Sequence, residues 1–177
     1  MKLFAPIALC LASSVFAAPN IDPTDSFVMA EVMSSIQSAV DSFAATVSDI
    51  PNKGTNDLTT KGKALASTIK SGATRVQSSP SLPLDQALKL VPEFDKVQDR
   101  VTSVEKELFA QLPAIQAAEQ CVPVRNMVEE ILQSTMDCLE VALPKIPALG
   151  QPLATMKIAE VTKTLHNMKD DFAPGKC

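Results

Sequence analysis

The 177-residue sequence has no tryptophan, no tyrosine, a single histidine, five scattered glycines and four cysteines. Each shortage excludes something. Without Trp or Tyr the chain lacks the usual platforms on which sugars and bases stack. The one histidine, His166, has no carboxylate cluster at coordinating spacing and cannot build a metal site alone. It also falls one position off its helix's apolar stripe. That puts it on a solvated face, away from the partner that a Ser-His-Asp or Cys-His nucleophile needs. Gly54, Gly62, Gly72, Gly150 and Gly175 are too dispersed for a phosphate loop. Glu129 and Glu130, like Asp170 and Asp171, are sequence neighbours, so each pair diverges on a helix instead of facing as acid and base. No enzyme constellation and no cofactor motif emerges, and the expectation is a protein that is not an enzyme.

The chain opens with a short basic end, Met1-Lys2, and an apolar run from Leu3 to Phe16 followed by small residues. This reads as a secretory signal of residues 1–17, cleaved after Ala17, and the run is too short to span a membrane. Removing seventeen residues from 177 leaves 160, one domain (18–177) with room for a core. Loss of Lys2 leaves 15 basic against 20 acidic residues, a net charge of about −5. That argues against nucleic acid and anionic membranes as electrostatic partners. No later segment could span a membrane, the C-terminus DDFAPGKC lacks the apolar tail of a lipid-anchor signal, and no asparagine sits in a glycosylation sequon. A secreted, extracellular product is expected.

Cys10 leaves with the signal. If one helix runs from about 123 to 142, Cys121 and Cys138 lie roughly 25 Å apart along it at 1.5 Å per residue, beyond disulfide reach. An antiparallel last helix returns Cys177 to the level of Cys121. The expected disulfide is therefore Cys121–Cys177, with Cys138 a buried free thiol. The alternative is that the spare cysteine pairs with another molecule. Closing 56 residues in this way would stabilise by roughly 3 to 4 kcal/mol on the chain-entropy model.

What is abundant is helical periodicity. Val32, Ile36, Ala39/Val40, Phe43, Val47 and Ile50 line one face of a first helix, which Pro51-Asn52-Lys53-Gly54 should stop. Leu65, Ile69, Gly72/Ala73 and Val76 give a second. Leu84, Leu88, Val91, Phe94, Val97/Gln98, Val101, Val104 and Leu108 give a third. The Ser78-to-Pro83 turn between these two suggests that they fold back as a hairpin, and Pro92 should kink the third helix near Leu88 to Leu90 or split off its first turn. After a connector from Pro113 to Pro123 come a fourth helix (Val124 to Ala142) and a fifth (Ala154 to Phe172). Strand-like alternation is missing. The expected fold class is all-α, a single five-helix up-and-down bundle with an apolar interior.

The mature methionines Met29, Met33, Met127, Met136, Met156 and Met168 lie on or beside these stripes, where they either fill core gaps or line a deformable pocket. Wide aliphatic faces with almost no polar group to pin a ligand suit an acyl chain or a flat apolar surface better than a polar metabolite. The candidate apolar-binding residues are Val32, Ile36, Val40 and Phe43 of the first helix facing Leu65, Ile69, Phe94, Val101, Val104 and Leu108, with Val128, Ile131, Leu165 and Met168 completing the wall. The competing reading is a secreted protein-interaction module, an effector or enzyme inhibitor, with a tight core and an exposed apolar patch.

The run KALASTIKSGATRVQSSPSLPLDQALKLVPEFDKVQDRV, continued through KELFAQLPAI, VRNMVEEILQSTMDCLEVALPKIP and KIAEVTKTLHNMKDDF, resembles the fungal hydrophobic surface-binding protein and cell-wall galactomannoprotein family over residues 25 to 172. Pro83 stands where the family more often has a helix-capping Ser, and the cysteines are not part of the family's pattern. The resemblance implies a small secreted fungal helical bundle without catalytic activity. Such a protein adsorbs to hydrophobic surfaces, helps secreted hydrolases reach them, or holds a fatty acid in a core cavity.

Overall fold

A computed structural model describes residues 27–177. The expected signal segment and the polar lead-in, where Thr24 or Asp25 is the expected cap, lie outside the described residues. The helices are α1 (Phe27–Ser48), α2 (Ile50–Lys53), α3 (Leu58–Ser78), α4 (Leu84–Ala110), α5 (Leu112–Ala117), α6 (Cys121–Ala142) and α7 (Gln151–Asp171), with one 3₁₀ turn at Leu143–Lys145. Among the described residues there is no strand, so the class is all-α. The helix count differs from the expected five: two short helices, α2 and α5, accompany the five long ones.

Proline explains most of the differences. Pro51, Pro113, Pro123 and Pro152 do not end helices; they sit in the first turns of α2, α5, α6 and α7. The first-turn N–H groups have no intrahelical partner, so proline costs little there. Pro92 is the exception, an interior proline, yet α4 is not split and runs through it from Leu84 to Ala110. The Leu88 carbonyl loses its i+4 donor, and Leu88 is exposed, where water can replace it.

The expected hairpin of α3 and α4 is not formed. The chain does turn between them, but they do not pack on each other; α1 packs against both. α7 packs against α4 and α6, and α6 packs against α3. The five long helices thus close a ring in the order α3, α1, α4, α7, α6. Their directions alternate along the chain. Arg75 near the end of α3 meets Glu31 near the start of α1, Arg100 of α4 meets Asp41 of α1 at 2.9 Å, and α6 and α7 are joined by a short loop. The stripes of α3 and α4 therefore face each other across the ring's middle. Five cylinders with neighbouring axes ~9 Å apart leave an axial gap of roughly 3 Å radius, against roughly 2 Å for four. Ordinary aliphatic side chains do not fill it along its whole length.

One ion pair crosses each of the five ring contacts: Glu31–Arg75, Asp41–Arg100 at 2.9 Å, Asp95–Lys157 at 3.0 Å, Glu129–Lys169 at 2.6 Å and Lys70–Glu130 at 3.0 Å. Glu129 and Glu130 diverge as adjacent helical residues must, one to α7 and one to α3. Partly exposed pairs of this kind contribute at most about 1 kcal/mol each; their effect is to favour this order of neighbours over others.

The two ends of the ring differ. At one, Leu58, Leu108, Ile115, Val124 and Val128 are fully buried, Phe172 is nearly so, and Cys121 and Cys177 are joined as expected, with Cα atoms 5.5 Å apart. Cys138 is free and buried, also as expected. At the other end a smaller cluster of Met29, Val32, Val76 and Leu82 is separate from the main core. There the Leu82 N–H donates to the Lys145 carbonyl at 2.8 Å, and Lys145 Nζ donates to the carbonyls of Gln77 and Ser79. These bonds tie the α3–α4 turn to the α6–α7 connection.

At the solid end the α3–α6 contact is close because Gly62 has no side chain: a Cβ there would stand 2.0 Å from Met127 Sδ and 2.4 Å from its Cγ. Gly62→Ala should destabilise the fold by roughly 1–3 kcal/mol through overpacking, despite alanine's helix-propensity advantage of about 1 kcal/mol. Urea denaturation measures it, and an unchanged midpoint would mean that Met127 repacks freely.

Candidate functional site

Towards the hollow end the ring encloses a cavity of about 190 Å³. All five long helices wall it. α1 gives Val32, Ile36, Val40 and Phe43; α3 gives Leu65, Ile69 and Val76; α4 gives residues from Ala87 to Val104; α6 gives Ile131 and Leu139; α7 gives residues from Leu153 to Met168. At 1.5 Å per residue the wall follows α7 for about 22 Å, the scale of an extended long-chain lipid tail. An apolar cavity of about 150 Å³ already accepts a benzene ring and stays dry when empty.

Of the fourteen candidate residues, twelve stand in this wall: Val32, Ile36, Val40, Phe43, Leu65, Ile69, Phe94, Val101, Val104, Ile131, Leu165 and Met168. Leu108 and Val128 do not. They are fully buried in the solid end, about one turn beyond the last wall residues of their helices, Val104 and Ile131. Among the methionines, Met29, Met33 and Met168 line the cavity, Met127 fills the space over Gly62, and Met136 and Met156 are exposed.

Other wall residues escaped the sequence reading. Val97 belongs to the third-helix stripe, and Val161 falls on the apolar stripe of the last helix. Leu143, Ile146 and Leu153 come from the Pro-rich α6–α7 connection and the start of α7, where no periodicity marks them. Besides the methionine thioethers, three wall residues carry a heteroatom in the side chain. Thr135 donates its hydroxyl back to the Ile131 carbonyl at 2.8 Å. Burial pushes the Cys138 thiol up, so it stays neutral and behaves as a small apolar group. Among the described residues Lys157 is the one charged member of the wall. It falls on the α7 stripe between Ala154 and Val161, and a lysine inside an apolar stripe is the signal that could have singled it out. The Asp95 carboxylate beside it, and Glu160 more weakly, hold its ammonium above the ordinary lysine value. His166 is exposed.

Among the described wall residues Leu88 alone is exposed, at 53%, and its exposure marks where the cavity meets solvent. Two more exposed leucines, Leu84 at the start of α4 and Leu149 just before α7, stand at the same end of the ring.

The family model for hydrophobic surface binding protein A (HsbA) matches residues 28–143. The chain belongs to this family. The match runs from α1 to the end of α6 and stops at Leu143, where the 3₁₀ turn begins, so α7 lies beyond it. No curated protein sequence matches the chain. Among solved structures, the fold is similar to ligand binding domain 1 of the Penicillium marneffei MP1 protein complexed with arachidonic acids. The TM-score is 0.81 at 19% identity, covering 84% of this chain and 99% of that one. Ligand binding domain 2 of the same protein, complexed with multiple arachidonic acids, gives 0.80 at 18% identity, covering 83% and 95%. AFMP4P in complex with palmitic acid gives 0.69 at 10% identity, covering 85% and 98%. Among the described residues no helix is long and apolar enough to cross a membrane.

Proposed function

We propose that this protein is a secreted, non-catalytic binder of single-chain lipids, with a long-chain fatty acid as the first ligand to test, held inside the helical ring. The observation that carries the reading is the cavity itself, an aliphatic space walled by all five long helices and open at one end. That relatives of the same fold hold arachidonic and palmitic acids supports it. A closed-core effector or inhibitor needs no such void, and the cavity weighs against that alternative.

Burial of each methylene contributes about 0.8 kcal/mol, so each two-carbon extension of the ligand should tighten binding on the order of tenfold until the cavity is full. The test is native mass spectrometry of the protein purified from the medium of a eukaryotic host, followed by organic extraction and a chain-length series of added fatty acids. Stoichiometric lipid, or uptake that strengthens with chain length, is the expected result. An empty protein that refuses every added fatty acid would overturn the reading.

A second reading, adsorption to hydrophobic surfaces, is favoured by Leu84, Leu88 and Leu149 exposed together around the open end. The same end could take up lipid from such a surface and bring secreted hydrolases to it. Binding to hydrophobic polymer particles tests this separately.

A further inference from the structure

Of the five ion pairs that staple the ring, only Asp95–Lys157 contributes a residue to the cavity wall. Lys157 is 22% exposed and its ammonium has three N–H donors. One makes a long bond of 3.4 Å to Glu160 Oε2. Asp95 Oδ1 stands 3.0 Å from the same nitrogen as its ion-pair partner and takes up at most one more donor. The cavity's single cation thus has unused donor capacity beside an otherwise aliphatic wall. Asp95 follows Leu88 by seven residues on the same face of α4, about 10 Å in from the mouth at 1.5 Å per residue. Beyond Lys157 the α7 wall continues through Ile158, Val161, Leu165 and Met168 with no further charge.

We infer that Lys157 is the head-group residue of this cavity: it receives the carboxylate of a fatty acid that enters tail first, and the ligand carboxylate replaces Glu160 as its partner. Glu160 sits on the same helix, three residues away and 43% exposed, so it can turn to water without unfolding anything. A carboxylate replaces a carboxylate at the ammonium, so the head group enters the cavity paired by a charge-assisted hydrogen bond and not as an isolated buried charge. The site therefore selects anionic single-chain amphiphiles over neutral ones of the same length.

This inference rests on the lipid-binding reading, and the test separates the two. Affinities for palmitic acid and hexadecanol are measured by displacement of a fluorescent fatty acid, in the native protein, Lys157→Met and Glu160→Gln. Loss of one hydrogen bond to a charged group should weaken palmitic acid about tenfold in Lys157→Met and leave hexadecanol unchanged. Glu160→Gln removes the competitor and should tighten palmitic acid about threefold; this variant keeps Lys157, so its result stands even where Lys157→Met folds poorly. Palmitic acid and hexadecanol falling in parallel, or an acid-to-alcohol ratio the same in all three proteins, overturns the head-group assignment while lipid binding stands. A native protein that takes up neither ligand overturns both.

Discussion

Ile69→Trp should abolish uptake of long-chain fatty acids while leaving the helical content of the protein unchanged. Ile69 lies midway along α3, is 5% exposed, and shares the cavity wall with Val101 and Val104 of α4 and with Ile131 of the neighbouring α6. Because α3 and α4 do not pack on each other, an indole at this position projects into space and not into a neighbouring helix. Overpacking of a dense core costs typically 1–3 kcal/mol. Here the added atoms enter a void of about 190 Å³, so the stability penalty should be small, and far-UV dichroism should match the parent. The ligand, by contrast, loses the middle of its channel. At about 0.8 kcal/mol per methylene, excluding even half of a long tail removes several kcal/mol, a loss of a thousandfold or more in affinity. The parent chain has no tryptophan, so the emission of the introduced ring reports directly whether it sits in an apolar interior. Blue-shifted emission with lost uptake supports the wall as drawn. Uptake at unchanged affinity would show that the ligand does not occupy this space. The same substitution at fully buried Val128, in the solid end, should instead damage the fold.

That twelve of the fourteen candidates share the cavity wall, and that Leu108 and Val128 do not, follows from the periodicity. A stripe reports which residues face inward but not how far along the axis the interior is filled. Leu108 and Val128 carry the same inward signal as Val104 and Ile131. What separates them is the plug of Leu58, Ile115, Val124 and Phe172. That plug depends on α5 and the C-terminal turn, segments with too few residues to show a period. The ring order was illegible for a related reason. A short Ser/Pro turn predicts reversal of direction, and direction does reverse, but adjacency also depends on which third helix competes for the same stripes. α1 carries a stripe as long as theirs and takes the place between α3 and α4. The interhelical ion pairs that mark the order are long-range pairings of ordinary surface charges, and nothing in the sequence distinguishes Arg100, which meets Asp41, from the lysines around it. The disulfide could be read because its argument needed only a length along one helix and the antiparallel return of the next, both fixed by backbone geometry. The lysine in the α7 stripe is visible in the sequence, but its place beside Asp95 in the cavity wall depends on the packing of α4 against α7.

Replacing both Cys121 and Cys177 by serine should lower the unfolding free energy by about 4 kcal/mol, the chain-entropy value for releasing a closed loop of 56 residues. For a domain whose whole stability is of order 5–15 kcal/mol this is a large share, and it should appear as a fall in Tm of roughly 8–16 °C. The loop between the two cysteines contains all of α6 and α7, the two helices that complete the ring after α4. In the unfolded chain the bond holds the ends of that unit together; in the folded one it joins the start of α6 to the turn after α7, beside buried Phe172. The variant should therefore lose stability more than it loses structure, and the cavity, which lies towards the opposite end, should keep its walls. Two measurements separate these effects. Urea unfolding gives the stability change, and fatty-acid affinity well below the new Tm should stay within about threefold of the parent, since no wall residue is touched. A loss of uptake as deep as the loss of stability would mean that α7 is held in the ring by the disulfide and not by its own packing. The single charged wall residue, Lys157, would then be positioned by a bond at the far end of its helix. Bound ligand should in turn restore stability in the variant by mass action, about 2.7 kcal/mol at a hundredfold excess over Kd, so that the hollow end and the covalent end stabilise the same ring independently.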